Sequence, residues 1–282
     1  MKRILFIGGG KMMQAIAGGL LARGMGATSL AAVEPDAAAA GALHQLQIEI
    51  FSEGVSAAPR LNEFGTLVLA VKPQVLREAL VPFVGRLSGQ LVISIAAGVR
   101  TVDLARWLDG AAANTQPTQI VRAMPNTPAL IQAGITGLFA GAAVSQISRD
   151  KAESLLAAVG KTTWFNDEAM LDAVTAVSGS GPAYVFYFIE ALETAALELG
   201  FTAPAARQFA LETFRGAALL AATSADAPAT LRANVTSNKG TTAAAIAEFD
   251  RAALKSHFVA GVRAAASRAT ELGDELSAGP AC

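Results

Sequence analysis

The sequence is poor in the residues that carry most nucleophilic, metal-dependent and disulfide chemistry. Its 282 residues include one cysteine, Cys282, and two histidines, His44 and His257. A single cysteine allows neither an intrachain disulfide nor a cysteine metal site, and it is typical of a protein of the reducing cytoplasm. Neither histidine lies in a motif, and the sequence shows no Ser-His-Asp set, nucleophile elbow or metal-ligand cluster. Hydrolysis and metal catalysis therefore have no residues to support them.

Charged residues are also scarce, at 16% of the sequence, and the 22 Lys and Arg nearly balance the 23 Asp and Glu. The net charge of -1 provides no basic field that would attract nucleic acid. The charge-free stretch between Arg122 and Arg149 contains prolines and glycines, which break the continuous apolar helix of a membrane span. Because hydrophobic residues make up 52% of the chain, we expect a folded protein. From the balanced charge and the interrupted apolar stretch, we expect neither nucleic acid nor a membrane as partner.

Short apolar runs alternate with helical patterns through the first half of the chain, which is typical of a parallel sheet covered by helices on both faces. The expected strands are Arg3–Gly8, Thr28–Val33, Ile48–Phe51, Thr66–Val71, Gln90–Ile95 and Thr118–Ala123. The expected helices between them include Lys11–Arg23, Asp36–Leu46 and Pro73–Arg86. This alternation predicts an α/β dinucleotide-binding domain of the Rossmann type, with a doubly wound sheet, over residues 1–162.

Long alanine-rich helical patterns follow after about Lys161, where strand signals end. The expected helices include Pro182–Leu199, Ala203–Thr223 and Leu254–Leu272. The first of these is apolar on almost every side, and such a helix needs more cover than one small domain supplies. We therefore expect a second subunit, and an all-α dimerisation domain at residues 163–282.

A glycine-rich turn joins the first expected strand to the first expected helix. It reads Ile7-Gly8-Gly9-Gly10-Lys11-Met12-Met13, and this is the context in which Gly-x-Gly binds a pyrophosphate. Gly8 permits the tight turn, and Gly10 lets the backbone approach phosphates at the start of the helix. Met13 stands where the pattern has glycine or alanine, so we expect local repacking around it. The expected cofactor contacts are Gly8, Gly10, Lys11 and Met12, and the alternative is a glycine turn that binds no nucleotide.

Further cofactor contacts are expected at the ends of the other strands, where ligands of doubly wound sheets bind. Glu34 follows the second strand, where a carboxylate accepts hydrogen bonds from ribose hydroxyls and repels a 2′-phosphate, which favours NADH over NADPH. The alternative role is a charge at a helix N-terminus, for which Asp36 is the better candidate. Lys72 is either a cofactor contact or a solvated strand-end charge. The remaining candidates are Ala70, Val71, Pro73, Ala96, Ala97, Gly98 and Asn126.

Two polar segments interrupt the helical half, each just before an expected helix: Ser178 to Pro182 and Thr236 to Thr242. Hydroxyl and N–H groups at a helix start can hold a small carboxylate, and ordinary helix capping uses the same residue types. A cap needs a single acceptor, whereas the second segment has four hydroxyl residues in seven positions. This excess favours a ligand site in the second segment.

Five segments, in this order, resemble pyrroline-5-carboxylate reductase: Gly8-x-Gly10-x-Met12, Ala70 to Pro73, Met124-Pro125-Asn126-Thr127-Pro128, Ser178-Gly179-Ser180-Gly181-Pro182 and Thr236 to Thr242. The resemblance runs over nearly the whole chain. It implies reduction of 1-pyrroline-5-carboxylate to L-proline by hydride transfer from NADPH or NADH, the last step of proline biosynthesis. It also implies that the helical domain interlocks with a second subunit to form a homodimer or a higher homo-oligomer, with the active site near the dimer interface.

The resemblance further assigns residues to the substrate. Ser237, Asn238, Gly240, Thr241 and Thr242 would bind it, chiefly through its carboxylate, and Thr242 would also hydrogen-bond the ring nitrogen, which makes it the expected catalytic residue. Lys239 stands where the family usually has glycine. A left-handed backbone at this lysine costs roughly 1 kcal/mol or more, and its charge is of the sign that attracts an anionic substrate.

Two other functions are compatible with parts of this pattern. One is another two-domain NAD(P)-dependent dehydrogenase, acting on an imine or a β-hydroxyacid. The β-hydroxyacid type depends on a lysine early in the helical domain, and no lysine lies between Lys161 and Lys239. The other is a noncatalytic nucleotide-binding protein, which would keep the turn at Gly8 and Gly10 but would not need the second polar segment.

Overall fold

The computed structural model describes residues 2–109 and 117–278. Cys282, on which the expected absence of disulfides and the expected reducing compartment depend, lies outside the described residues. The chain divides into two compact units. The first contains the residues up to Ser180 and those from Ala265 onward, and the second is Gly181–Ala264.

Eight strands form one sheet in the described part of the first unit. They are β1 (Arg3–Ile7), β2 (Leu30–Val33), β3 (Glu49–Phe51), β4 (Phe64–Leu69), β5 (Leu91–Ser94), β6 (Gln119–Met124), β7 (Gly134–Ala140) and β8 (Gly160–Phe165). Their order across the sheet is β3-β2-β1-β4-β5-β6-β7-β8. The first six run parallel, β7 is antiparallel to β6, and β8 is parallel to β7. The winding direction reverses between β1 and β4, which creates a crevice at their carboxyl ends.

Helices lie between most of these strands and after the last one. They are α1 (Lys11–Ala22), α2 (Ala37–Gln45), α3 (Gly54–Ala57), α4 (Pro73–Leu80), α5 (Thr101–Asp109), α6 (Gln146–Leu156) and α7 (Met170–Val174). A π-helical turn, Thr175–Gly179, continues α7. The last helix, α12 (Leu254–Ser277), belongs to the second unit up to Ala264 and to the first unit beyond it.

Apolar side chains cover both faces of the sheet. On β1, Ile4 and Phe6 belong to one buried cluster, whereas Leu5 and Ile7 belong to another. All four side chains are at most 1% exposed. Successive side chains of a strand point to opposite faces, so a parallel strand covered on both sides must be apolar at every position. This is the physical reason for the unbroken apolar run in the sequence of β1.

The second unit, all of whose residues are described, consists of helices. They are α8 (Gly181–Glu198), α9 (Ala203–Thr223), α10 (Pro228–Asn234), α11 (Thr241–Arg251) and the first part of α12. No residue of α8, α10 or α11 is buried, and α9 buries only Ala206 and Ala210. None of the helices in the described part of the chain combines the length and hydropathy that crossing a bilayer requires.

The predicted fold class is confirmed, but some predicted boundaries were wrong. Sequence patterns missed β7 and β8, and β8 runs to Phe165, beyond the point where strand signals were expected to end. Glycines in β7 weaken its pattern, and the outward-facing side of β8 is polar. The helix expected at Pro73–Arg86 ends at Leu80, because Pro82 has no N–H to continue the hydrogen bonding. At the other end of the chain, α12 runs to Ser277 rather than Leu272.

The compact units part after Ser180, so residues 163–180 pack with the sheet. The functional division of the chain at residue 162 stays a prediction.

Candidate active site

The glycine turn after β1 has the geometry that its sequence predicts. Gly8 has a φ of 101°, and a Cβ on it would lie 2.7 Å from Cγ1 of Val71 and 2.9 Å from the carbonyl oxygen of Ala70. Only glycine fits there, because both its backbone conformation and the space around it exclude a side chain. A Cβ on Gly10 would meet no protein atom within 4 Å, so the approach to the backbone at this point is open.

The start of α1 lies directly after this turn. Gly10 is its N-cap residue, no side chain caps the helix, and its first turn contains no acidic residue. The first N–H groups of a helix lack intrahelical partners and favour negative charge. Backbone donors are therefore directed to where a phosphate group would bind. Met13 is wholly buried in the core, so the methionine in place of glycine or alanine is accommodated by packing.

The carboxylate of Glu34 lies against the glycine turn. Its Oε2 accepts a hydrogen bond from the backbone N–H of Gly9 at 2.6 Å, and its Oε1 accepts one from the N–H of Asp36 at 2.8 Å. Asp36 is itself the cap of α2, because its Oδ1 accepts from the N–H of Ala39 at 2.8 Å. The helix-capping role considered for Glu34 is thus filled by Asp36. Glu34 remains at the position where a Rossmann fold meets the adenosine ribose.

The other cofactor candidates follow strands on the opposite side of β1. Ala70 to Pro73 follow β4, with Lys72 exposed at the N-cap of α4 and Pro73 as its first residue. Ala96 to Gly98 follow β5, and Asn126 follows β6. The backbone ladder reaches both β4 and β5 ends: the N–H of Ala70 donates to the carbonyl of Ile7 at 2.8 Å, and that of Ile95, just before Ala96, donates to the carbonyl of Leu69 at 3.1 Å.

Asn126 has one side-chain contact that the sequence does not reveal. Its Oδ1 accepts a hydrogen bond from the backbone N–H of Ile135 at 2.9 Å, which ties the segment after β6 to the start of β7. Within the described residues no hydrogen bond engages the amide NH₂ of Asn126, which can donate two.

A dinucleotide fits this edge of the sheet. The predicted contacts all follow carboxyl ends of parallel strands, so the structure brings them to one edge beside the β1–β4 crevice. The open backbone at Gly10 and the uncapped start of α1 suit a pyrophosphate. If Glu34 contacts the ribose of the adenosine half, as its sequence position predicts, the segments after β4 and β5 are left for the nicotinamide half.

The predicted substrate residues lie in the second unit, in the turn before α11. Gly240 is the N-cap residue of α11, and no side chain caps this helix. The hydroxyl of Thr236 donates backward to the carbonyl of Arg232 at 2.6 Å, and no hydrogen bond within the described residues engages the hydroxyls of Thr241 and Thr242. Ordinary helix capping therefore does not explain the excess of hydroxyl residues in this turn.

The turn itself is tightly built. The N–H of Gly240 donates to the carbonyl of Ser237 at 3.0 Å, and a Cβ on Gly240 would lie 2.3 Å from the hydroxyl oxygen of Ser237. Lys239 has a φ of 56°, so this exposed lysine adopts a left-handed conformation, which only glycine adopts without strain. Asn238 lies beside it and is exposed.

Sequence reasoning missed a buried group of charges near the carboxyl edge. Arg122, on β6, is 3% exposed and binds Oε1 of Glu168 at 3.4 Å and Oδ1 of Asp172 at 3.0 Å. Glu168 also accepts hydrogen bonds from the N–H and the hydroxyl of Thr101, both at 2.8 Å. No local pattern reveals these contacts, since the paired residues are 46 to 67 positions apart.

Comparison with known protein families agrees with this geometry. The family described as NADP oxidoreductase coenzyme F420-dependent matches residues 3–98, and the family described as pyrroline-5-carboxylate reductase dimerisation matches residues 168–272. Fold and nucleotide edge thus define an NAD(P)-dependent oxidoreductase. The chain is 40% identical to the pyrroline-5-carboxylate reductase of Pseudomonas aeruginosa, over 97% of this chain and 98% of that one. It belongs to the pyrroline-5-carboxylate reductase family, which confirms the resemblance inferred from its motifs.

Other relatives show the same similarity. The chain is 39% identical to the pyrroline-5-carboxylate reductase of Haemophilus influenzae, over 96% of this chain and 97% of that one. Among solved structures, a pyrroline-5-carboxylate reductase from Coxiella burnetii matches with a TM-score of 0.86 at 36% identity, covering 96% of this chain and 98% of that chain. Plasmodium falciparum pyrroline carboxylate reductase, solved with NADP bound, matches with a TM-score of 0.84 at 25% identity and the same coverage.

Proposed function

We propose that this chain reduces 1-pyrroline-5-carboxylate to L-proline with NADPH or NADH as hydride donor, the last step of proline biosynthesis. The observation that carries the proposal is its 40% identity to a protein named pyrroline-5-carboxylate reductase over 97% of the chain. The carboxyl edge of the sheet, with its glycine turn and small residues, supports the proposal because it fits a dinucleotide.

The proposed reaction needs no acid or base residue of the protein. When bound, the reduced nicotinamide supplies the hydride that adds to the imine carbon, while the electron pair of the C=N bond moves to the ring nitrogen. Solvent protonates the imine before hydride transfer, so the electron pair that leaves the C=N bond neutralises an iminium nitrogen and gives the amine of proline. The chain therefore needs only to orient the ring and keep water away from it, as Gly8 to Met12 and Ala96 to Gly98 would do for the cofactor.

The turn before α11 is proposed to hold the substrate. Backbone N–H groups and hydroxyls of Ser237, Asn238, Gly240 and Thr241 would bind its carboxylate, since the uncapped start of a helix favours an anion. Thr242, which is half-buried one residue into α11, would donate to the ring nitrogen. One well-placed donor contributes about 1–3 kcal/mol as charge changes on that nitrogen.

The assembly and the compartment are part of the same proposal. We place the enzyme in the cytoplasm as a homodimer or a higher homo-oligomer. The helical second unit supports a partner subunit, because α8 has no buried residue and exposes Phe186 to 64% and Tyr187 to 70%. The low cysteine content and the use of a reduced dinucleotide both fit the cytoplasm.

The direct test is the oxidation of NADH and NADPH by the purified enzyme with and without 1-pyrroline-5-carboxylate. We expect substrate-dependent oxidation with proline as product. Binding of reduced cofactor, measured by nicotinamide fluorescence, without any substrate-dependent oxidation would instead support the noncatalytic alternative. Reduction of NAD⁺ by a β-hydroxyacid, with no oxidation of NADH or NADPH by the imine, would support the other dehydrogenase type.

The role of Thr242 is tested by removing its hydroxyl. We expect Thr242→Ala to lower kcat about fivefold to a hundredfold, the loss of one donor of about 1–3 kcal/mol, without unfolding the protein. Thr242→Ser keeps the hydroxyl and should recover most of the rate. Thr270→Ala is the matched control, because its exposed hydroxyl only donates to the carbonyl of Ala266 within α12. Wild-type kinetics in Thr242→Ala would remove Thr242 from the mechanism.

The role of Glu34 is tested through cofactor preference. Its carboxylate repels a 2′-phosphate, so we expect Glu34→Ser to shift the ratio of kcat/KM for NADPH over NADH upward by about tenfold or more. Glu53→Ser, at the start of α3, removes one negative charge elsewhere on the same unit and should leave the ratio unchanged. The same ratio before and after Glu34→Ser would dismiss Glu34 as the selective residue.

A further inference from the structure

The segment after β5, Ala96 to Thr101, is held by two parts of the chain that lie far away in sequence. The first is the end of α12. Gly98 has a φ of 77°, and a Cβ added to Gly273 would lie 3.1 Å from the carbonyl oxygen of Gly98. Arg100 binds Asp274 in an ion pair, and this hydrogen bond raises the pKa of Arg100. The backbone of the loop after β5 therefore contacts the backbone of α12 at Gly98 and Gly273, and the ion pair of Arg100 with Asp274 stabilises this contact.

The second holding contact comes from Glu168, just before α7. Its two carboxylate oxygens accept hydrogen bonds from the N–H and the hydroxyl of Thr101, each at 2.8 Å. Thr101 is the first residue of α5, so Glu168 satisfies a free N–H group at the start of this helix and adds a negative charge where the helix dipole favours one. The buried Arg122 fixes Glu168 in turn, at 3.4 Å.

These two contacts flank the helical half of the protein. The match to the dimerisation family runs from residue 168 to residue 272, so Glu168 is its first residue and Gly273 follows its last. A parallel strand and the helix after it can be joined without help from other segments. Here the loop between β5 and α5 is instead fixed by two segments, one just before the helical half, at Glu168, and one just after it, at Gly273 and Asp274. Two such contacts on one short loop favour a role for the position of this loop beyond the sheet.

We propose that Thr101, Glu168 and Gly273 are positioning residues, which fix the segment Ala96 to Gly98 for the nicotinamide half of the dinucleotide. The inference rests on the proposed cofactor site. The sheet order supports it, since Glu34 and the adenosine half lie on the β2 side of β1, whereas β5 lies beyond β4 on the other side. A displaced segment after β5 would disturb the nicotinamide half and leave the adenosine half unaffected.

The first test drives the loop and α12 apart. In Gly273→Ala the new methyl group would lie 3.1 Å from the carbonyl oxygen of Gly98 and 3.4 Å from Nη2 of Arg100, so the loop must shift. We expect the Kd for NADH, from nicotinamide fluorescence, to rise fivefold to tenfold, while the Kd for ADP-ribose, from calorimetry, changes less than twofold. Gly41→Ala is the matched control, because this exposed helical glycine has no atom within 4 Å of an added Cβ.

The second test loosens the other contact without adding bulk. Thr101→Val removes the hydroxyl that Glu168 accepts from and keeps the shape of the side chain. We expect a threefold to fivefold rise in the Kd for NADH, again without a change for ADP-ribose. Thr101→Ser retains the hydroxyl and should restore wild-type affinity, which a loss of packing at this position would not allow.

The outcomes separate this inference from the proposed function. A lower melting temperature with unchanged Kd for NADH in both variants would overturn the inference, since the contacts would then serve stability alone. Equal loss of affinity for NADH and ADP-ribose would overturn it as well. The proposed function is decided independently, by whether the wild-type enzyme oxidises reduced cofactor in the presence of the imine.

Discussion

The two compact units of this protein differ in how they bury their apolar residues. The first unit has wholly buried side chains on both faces of its sheet, including Phe6, Phe64 and Phe83. The second unit has a helix, α8, with no buried residue at all, and within this unit only Ala206 and Ala210 are buried apolar residues. Large apolar side chains such as Phe186, Phe209 and Leu219 are instead more than half exposed.

The contrast shows that one unit carries its own core and the other does not. Burial of apolar surface is the main favourable contribution to folding, at roughly 25 cal/mol per Å². Most aromatic residues of the helical unit are exposed in a single chain. Their apolar surface stabilises the unit only when another surface covers it. The first unit is therefore expected to behave as an independent domain, and the second as one whose stability depends on a partner subunit.

The largest effect should follow from placing a charge on the exposed apolar side of α8. Burying an unpaired carboxylate in an apolar interface costs several kcal/mol, and a dimer carries one in each copy, so we expect Phe186→Asp to weaken the dimer by about ten-thousandfold or more. Sedimentation velocity would show monomers. The control is Ile147→Asp on α6, since Ile147 is 80% exposed but belongs to the first unit. An unchanged dimer in Phe186→Asp would mean that a second copy does not cover this helix.

A smaller effect is expected from removing the buried charge of the first unit. Arg122→Met leaves Glu168 and Asp172 without their cation, and breaking a buried ion pair in this way costs about 3–5 kcal/mol. Urea unfolding should show this loss. Arg268→Met should cost far less, because the Arg268 side chain is 52% exposed beside Glu271 and Glu275 and water screens these ion pairs. Equal effects of the two changes would contradict the view that the first unit depends on this internal charge pairing.

The smallest effect concerns backbone strain, which both units contain. Lys239 and Gln47 have the same φ of 56°, one in the second unit and one in the first. Glycine removes the strain of a left-handed conformation but raises the entropy of the unfolded chain, so each change to glycine should stabilise by about 0.5–1 kcal/mol. Lys239→Ala keeps the strain and serves as the reference in urea unfolding. A glycine variant no more stable than this alanine variant would show that the strain is relieved elsewhere.

Local sequence was sufficient to predict most of the candidate cofactor site. The glycine turn, Glu34 and the segments after β4, β5 and β6 were each identified from their position after a strand. The carboxyl ends of parallel strands share one edge of a sheet, so knowing the strands was enough to bring these residues together. The same reasoning failed for β7 and β8, because glycines in one and polar positions in the other obscure the strand pattern.

By itself, the sequence determined the class of fold, the nucleotide edge and the polar turn before α11, because each depends on residues that are close along the chain. Only the tertiary structure decided which charges are buried together and what fixes the segment after β5. The contacts of Arg122 and of Arg100 join residues 46 to 174 positions apart. Such contacts depend on how the whole chain folds back on itself, and no periodicity or motif within a short window encodes them.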